Sequence, residues 1–301
     1  MAFTWTELID DIKVRGMFPT SQSTFTTARL LSLTNATLRS KVLPLVDKVR
    51  EGYYSYDVDT VLNATGIYNL HTRAVGGKLL DACLVSGDER FDLAKYSEGT
   101  IKNYDQAPGQ AGFYLKRSQV FLLPKVPASG SSFRQTIMLR PPTIVAQDSA
   151  ARISAINTVS GVVTCETVPS SWTTSNLFDM VQEPAHFDTL AIDLPITAIS
   201  TGASGTMTFT AANLPSRLAV GDWIGLRGES PVIQVPVELN PLLAQEVANI
   251  CLRSQTDANA LKLGIDEVKE MREEIKSLIT PRVSSEGKKI TNRSGILRRG
   301  I

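Results

Sequence analysis

Ile153-Ser-Ala-Ile-Asn-Thr158 returns 43 residues later as Ile196-Thr-Ala-Ile-Ser-Thr201. The echo continues beyond that hexapeptide. Gly161-Val-Val-Thr164 is matched by Gly205-Thr-Met-Thr208, Pro169-Ser170 by Pro215-Ser216, and Asp179 by Asp222, at offsets of 43 to 46 residues. Each copy reads as strand, glycine-containing turn, strand, Pro-Ser turn, then a strand around the aspartate. One such unit is too small to bury both faces of its hairpin. Two copies packed together make a compact β module, spanning residues 146–230.

On either side of this module the hydrophobic period changes. Residues 53–145 show period two, with strands expected at Tyr53–Tyr56, Leu79–Val85, Phe113–Leu115, Val120–Leu123 and Phe133–Leu139. A short helix is expected over Lys95–Tyr104, and Gly76-Gly77 reads as a tight turn before a strand. The N-terminal 52 residues have helical spacing. Thr4-Trp-Thr-Glu7 spells a capping box, Trp5, Leu8, Ile9 and Ile12 form a stripe, and Gly16 ends the helix. Phe18-Pro-Thr-Ser21 is a turn. A longer helix runs from about Thr24 to Arg50, with Phe25, Ala28, Leu31, Leu38, Val42, Leu45 and Val49 inward. Pro44 removes one backbone bond and predicts a kink near Ser40–Lys41.

Beyond the module, residues 231–279 return to helical period. Asn240-Pro241 predicts a helix start, with Asn as the cap and Pro in the first turn. Leu243, Val247, Ile250 and Cys251 share one face. After a polar break at Ser254–Asp257, Leu261, Ile265, Val268, Met271, Ile275 and Leu278 form a second stripe, and Thr280-Pro281 stops it. Neither terminal set of helices has enough apolar surface to stand alone, so the two are expected to pack as one bundle around the β-rich insertion. The fold class is α+β.

Residues 280–301 differ from everything before them. Arg282, Lys288, Lys289, Arg293, Arg298 and Arg299 stand against the single acid Glu286. The chain as a whole carries +1, so this arm is near +5 and the remainder near −4. Such a segment cannot bury itself and reads as an extended basic arm. A protein neighbour, a plain solvated tail and nucleic acid are its three readings. Six charges without an aromatic give only salt-sensitive phosphate binding.

Little in the chain spells catalysis. Gly77-Lys78 lacks the glycine that a phosphate loop needs at Thr72 and the hydroxyl it needs at Leu79. There is no Gly-x-Ser-x-Gly elbow, and His71 and His186 are the only imidazoles, each most simply a turn or surface residue. Asp57/Asp59, Asp88/Glu89 and Asp179/Asp222 are the carboxylate pairs. The last is explained by the duplication, as equivalent turn or strand residues. Tyr53, Tyr54 and Tyr56 alternate but lack interleaved bases, which favours strand core or an interface over base stacking. Cys83, Cys165 and Cys251 are far apart and odd in number, against a disulfide framework or zinc ribbon and in keeping with a reducing cytoplasm. No signal peptide and no apolar run long enough for a membrane span is evident. No catalytic, cofactor or metal residue is therefore assigned.

Five stretches together resemble a family. They are Val49-Arg-Glu-Gly-Tyr-Tyr54, Arg73-Ala-Val-Gly-Gly-Lys-Leu79, the hairpin Ala111 to Pro124, Glu238-Leu-Asn-Pro-Leu-Leu-Ala-Gln245, and Thr280-Pro-Arg-Val283 with Lys288-Lys-Ile-Thr-Asn-Arg293. The chain is similar to the head–tail connector (portal adaptor) proteins of tailed bacteriophages, in their larger form with β insertions. The resemblance implies a non-enzymatic virion protein, assembled in the bacterial host cytoplasm. It implies a ring, usually of twelve copies, beneath the portal, joined on its other face to the tail or a second connector. Viral DNA passes through the lumen without sequence-specific contact, and no membrane is involved. It further implies that Arg282, Lys288, Lys289, Asn292, Arg293, Arg298 and Arg299 form the portal-binding arm. The alternative is another tail or baseplate protein that uses the doubled β module to bind protein or carbohydrate.

Overall fold

The computed structural model describes residues 5–18, 24–50, 52–98, 111–123, 131–183, 189–255 and 258–279. The chain is α+β, with helices at both ends of this range and strands between them.

Helix α1 (Trp5–Arg15) buries Trp5, Leu8, Ile9 and Ile12 as its spacing predicts and ends before Gly16. The capping residue Thr4 and most of the Phe18–Ser21 turn lie outside the described residues. Helix α2 (Thr27–Thr37) is capped by Thr26, whose hydroxyl accepts from the Arg29 amide at 3.3 Å. Leu38–Val42 then widens into a π-helical turn, with the Leu43 amide bonded to the Leu38 carbonyl, before helix α3 (Leu43–Val49) continues. Pro44 has no N–H to return to Ser40, and the helix meets that loss by widening. The break falls at the predicted place. The buried stripe is Leu30, Thr34, Leu38, Val42 and Val46, while Ala28, expected inward, is exposed.

Two small sheets follow. Their strands are β1 (Ser55–Val61), β2 (Ile67–Asn69), β3 (Ala74–Ser86), β4 (Glu89–Asp92), β5 (Ala94–Lys95), β6 (Gly112–Lys116), β7 (Gln119–Leu123) and β8 (Ser132–Leu139). One sheet has the order β1-β8-β3-β4 and the other β2-β7-β6-β5. Ala82 and Phe133 of the first share a core with Tyr68, Phe113, Val120 and Leu122 of the second, and the Tyr68 and Phe133 rings lie 4.6 Å apart. Three expectations change here. Tyr53 and Tyr54 form a turn, and the strand begins at Ser55. Ala94–Lys95 is a strand edge paired with β6 and not the start of a helix; residues 99–104 lie outside the described set. Gly76 and Gly77, both at positive φ, form a bulge inside β3 and not a turn before it.

After the short β9 (Thr143–Ile144) comes a closed six-stranded barrel. The strands of this segment are β10 (Ala151–Asn157), β11 (Val162–Cys165), β12 (Thr167–Val168), β13 (Leu177–Val181), β14 (Thr189–Ser200), β15 (Gly202–Ala203), β16 (Thr206–Phe209) and β17 (Trp223–Leu226), six of which close the barrel. Around the barrel the order is β10-β11-β16-β14-β13-β17, with β12 and β15 paired separately. The two sequence copies map onto β10, β11, β13 and β14, β16, β17. Each copy's third strand pairs with the first strand of the other copy, β13 with β14 and β17 with β10. The copies are thus interlocked and share one core, which includes Ile153, Val163, Phe178, Ile196, Met207, Phe209 and Ile224. The duplication makes closure intelligible: each copy supplies a hairpin and a separate third strand, the third strand covers the free edge of the other copy's hairpin, and the two third strands pair with each other.

β18 (Glu229–Ser230) pairs parallel with β9 and leads back to α4 (Asn240–Gln255) and α5 (Ala258–Ile279). Helix α4 packs against α1, α2 and α5. It is buried around its circumference from Leu242 to Asn249 and not on a single face. The polar residues of that stretch are bonded: Gln245 donates to Asn249 at 3.1 Å, Asn249 donates to the Gly264 carbonyl at 3.0 Å, and Arg15 donates to Gln245 at 3.0 Å. Glu246 is buried between Lys41 and Arg272. Asn240 starts the helix as predicted, but its own backbone is helical and its side chain makes no hydrogen bond, so it is not the cap. On α5, Gly264, Val268 and Ile275 face inward, whereas Ile265 and Leu278, expected inward, are exposed. One hydrophobic core joins residues of α1, α2, α3, α4 and α5.

Candidate functional site

The seven arm residues Arg282, Lys288, Lys289, Asn292, Arg293, Arg298 and Arg299 lie outside the described residues, as does His186. The described part of the chain that precedes the arm ends with α5.

A group of largely buried charges lies where the β2–β3 connection meets the barrel. Arg73, buried, ion-pairs with Asp179 of β13. Asp179 also accepts from the amides of Asp193 at 3.0 Å and Gly228 at 2.9 Å. Asp193, on β14 with φ of +56°, pairs with Arg227 at 2.9 Å and faces His71 Nε2 at 3.3 Å. Arg227 donates to the Thr72 hydroxyl at 2.9 Å. Burial raises the Asp179 carboxyl above the usual carboxylate range, and Arg73 with the two amides opposes that rise. Burial lowers His71, against the pull of Asp193. This group clamps the β1–β8 region to the barrel.

The other predicted carboxylates have these places. Asp222 accepts from the amides of Glu183 and Ala219 at 2.9 and 2.8 Å, a turn-holding role parallel to that of Asp179. Asp57 and Asp59 lie on the outer face of β1. Asp59 takes a two-pronged bond from Arg134 at 2.6 and 2.7 Å, and Asp57 accepts from Thr136 at 2.6 Å. Asp88 and Glu89 are exposed at the β3–β4 turn. Among the described residues no cluster of three or more His, Cys, Asp or Glu side chains is placed to hold a metal. The three cysteines are free and buried; burial pushes Cys165 up to about 12 and Cys251 up to about 11, so neither is a ready nucleophile.

A further feature sits at the start of β1. Tyr54, Ser55, Pro141, Pro142 and Gln234 line a small cavity of about 30 Å³. The Tyr54 hydroxyl and the Gln234 side-chain amide nitrogen are buried yet make no hydrogen bond. The alternating tyrosines point to this place in the sequence. Gln234 and the Arg73–Asp193–Arg227 set carry no local signal, because their partners are distant in the chain.

No family model matches the chain, and no curated protein matches it. Among the described residues no helix is long and apolar enough to cross a membrane.

Proposed function

We propose that the protein is a structural virion component, a head-to-tail connector whose copies form a ring beneath a phage portal and join it to the tail or to a second connector. The observation that carries this reading is the shared core of the two ends of the described chain. Residues from α1, α2, α3, α4 and α5 contribute to one hydrophobic core, and the strands lie between α3 and α4 in sequence as one long insertion. On this reading the helices are the bundle of the ring body, in twelve copies by resemblance. The basic residues from Arg282 to Arg299 follow directly on α5, where a charged arm can engage the portal. Viral DNA passes through the lumen without sequence-specific contact. Cyclic closure requires a heterologous interface, and many copies acting together multiply a weak arm contact into firm attachment.

A second reading, a tail or baseplate protein whose barrel binds protein or carbohydrate, draws on Val159 and Val220. These two large apolar side chains are exposed on barrel turns, Val159 at 91%. Mass photometry of the purified chain with and without the portal of the same phage separates the two. The connector reading expects a portal-bound ring, lost on removal of residues 282–301. A chain that never binds portal overturns it.

A further inference from the structure

β1 is the edge of its sheet. It pairs with β8 on one side, and among the described residues no strand pairs with the other. Seven residues is long for an exposed edge, and β1 carries no proline, lysine or bulge to block addition of a further strand. It carries Asp57 and Asp59 instead, on one face and about half exposed at 48% and 47%. One guanidinium, Arg134, serves both, so the face keeps a net negative charge. Two like charges repel a second β1 and favour a basic strand. At the Ser55 end lies the small cavity, a space the size of one or two waters lined in part by Tyr54, Ser55 and Gln234; the Tyr54 hydroxyl and the Gln234 amide nitrogen are buried and make no hydrogen bond.

The chain holds one segment with the matching chemistry. Residues 280–301 carry six bases and one acid, and Lys289, Thr291 and Arg293 recur at the period-two spacing of a strand face. Fully extended, 22 residues reach about 70 Å, far enough to cross to an adjacent copy. We propose that the free edge of β1 receives Lys288–Leu297 of the C-terminal segment as an added antiparallel strand. Its bases face Asp57 and Asp59, and its Ser294–Leu297 end lies beside the cavity at Ser55. The bond is main-chain β-addition, with specificity from alternate side chains. This does not rest on the connector reading: it concerns the chain without any portal, and a portal that takes the same arm competes with it.

The test uses the full chain with a photo-crosslinking benzoylphenylalanine in place of Val61, which is 83% exposed at the end of β1. Copies labelled with light and heavy nitrogen are mixed, irradiated and digested. Crosslinks are expected to peptides from residues 283–297. They should fall at least five-fold in the K288E/K289E/R293E chain and at 0.5 M salt. Crosslinks joining light to heavy chains place the arm on a neighbour. Crosslinks confined within one chain still support the docking and count against the connector reading. Crosslinks only elsewhere, or crosslinks to 283–297 that the triple charge reversal leaves unchanged, overturn the proposal.

Discussion

Ser154 and Thr197 hold the same place in the two halves of the barrel. Each sits at a register shift, between Ile153 and Ala155 in one copy and between Ile196 and Ala198 in the other. Each hydroxyl donates to a strand carbonyl, Ser154 to Thr164 and Thr197 to Thr208, both at 3.2 Å. The correspondence extends to the main chain, where the Cys165 amide bonds to the Gly205 carbonyl and the Phe209 amide to the Gly161 carbonyl, both at 2.9 Å. The duplication is therefore preserved in hydrogen bonds as well as in the order of strands.

The two glycines make this equivalence measurable. A Cβ at Gly161, where φ is +72°, would lie 2.2 Å from the Phe209 carbonyl oxygen; one at Gly205 would lie 2.4 Å from that of Ser200. Neither obstacle is a flexible side-chain tip. Gly161→Ala and Gly205→Ala should each destabilise the chain by roughly 2 kcal/mol or more, through steric displacement of the ladder. Urea unfolding followed by tryptophan fluorescence reads the loss, since Trp172 is packed in the barrel core. No loss at either site would show that the ladder yields to a Cβ at these turns.

Gly264 tests the helical core in the same way. A Cβ there would stand 2.1 Å from Asn249 Oδ1 and 2.7 Å from Gln245 Nε2, both members of the buried network between α4 and α5. Gly264→Ala should cost about 2 kcal/mol by breaking bonds to buried polar groups. Removing the obstructing amide first should shrink that cost, so the double variant Asn249→Ala/Gly264→Ala should be less destabilised than the two singles predict together. Additive thermal-unfolding losses would mean that the glycine is there for another reason.

These sites also mark how far the chain could be read without coordinates. Ile153 and Ile196, with the glycines that follow them, announced two copies of one unit, because local repetition is written in order along the chain. That β13 completes β14's edge while β17 completes β10's was not written, since either pairing satisfies the same alternation. Pro44 located the π turn because its missing N–H acts on its own helix. Gly264 carries no signal within the spacing of α5, because the two side chains nearest it, Asn249 and Gln245, come from α4. Spacing alone puts Ile265 and Leu278 inward; Ile265, one residue past Gly264, turns off the face that meets α4, and Leu278 is exposed near the end of α5. Arg73 gave no hint of Asp179, 106 residues later, because a charge states its own sign and not its partner.

His71 supplies the pH dependence. Its Nδ1 accepts from the Arg73 amide at 3.4 Å, and its Nε2 faces Asp193 at 3.3 Å, so the neutral ring, protonated at Nε2, satisfies both neighbours. A second proton on Nδ1 would oppose the Arg73 N–H. Burial is the main cause of the lowered pKa, with Arg73 and Arg227 adding to it and Asp193 and Asp179 opposing it. In the unfolded chain His71 takes up its proton near pH 6.5, before the folded chain does. Stability from this group is thus complete above pH 6.5 and is lost as pH falls toward the lower folded value. Thermal unfolding of the wild type between pH 7.5 and 5 should show this loss. His71→Gln cannot titrate, and its melting temperature should fall less over the same range. Asp179 works in the other direction, because its carboxyl is raised and protonation eases its burial, but that contribution is common to both chains and cancels in their difference. Parallel pH profiles for the two would show that the imidazole is not held neutral, and the clamp between the β2–β3 connection and the barrel would then be independent of pH at this residue.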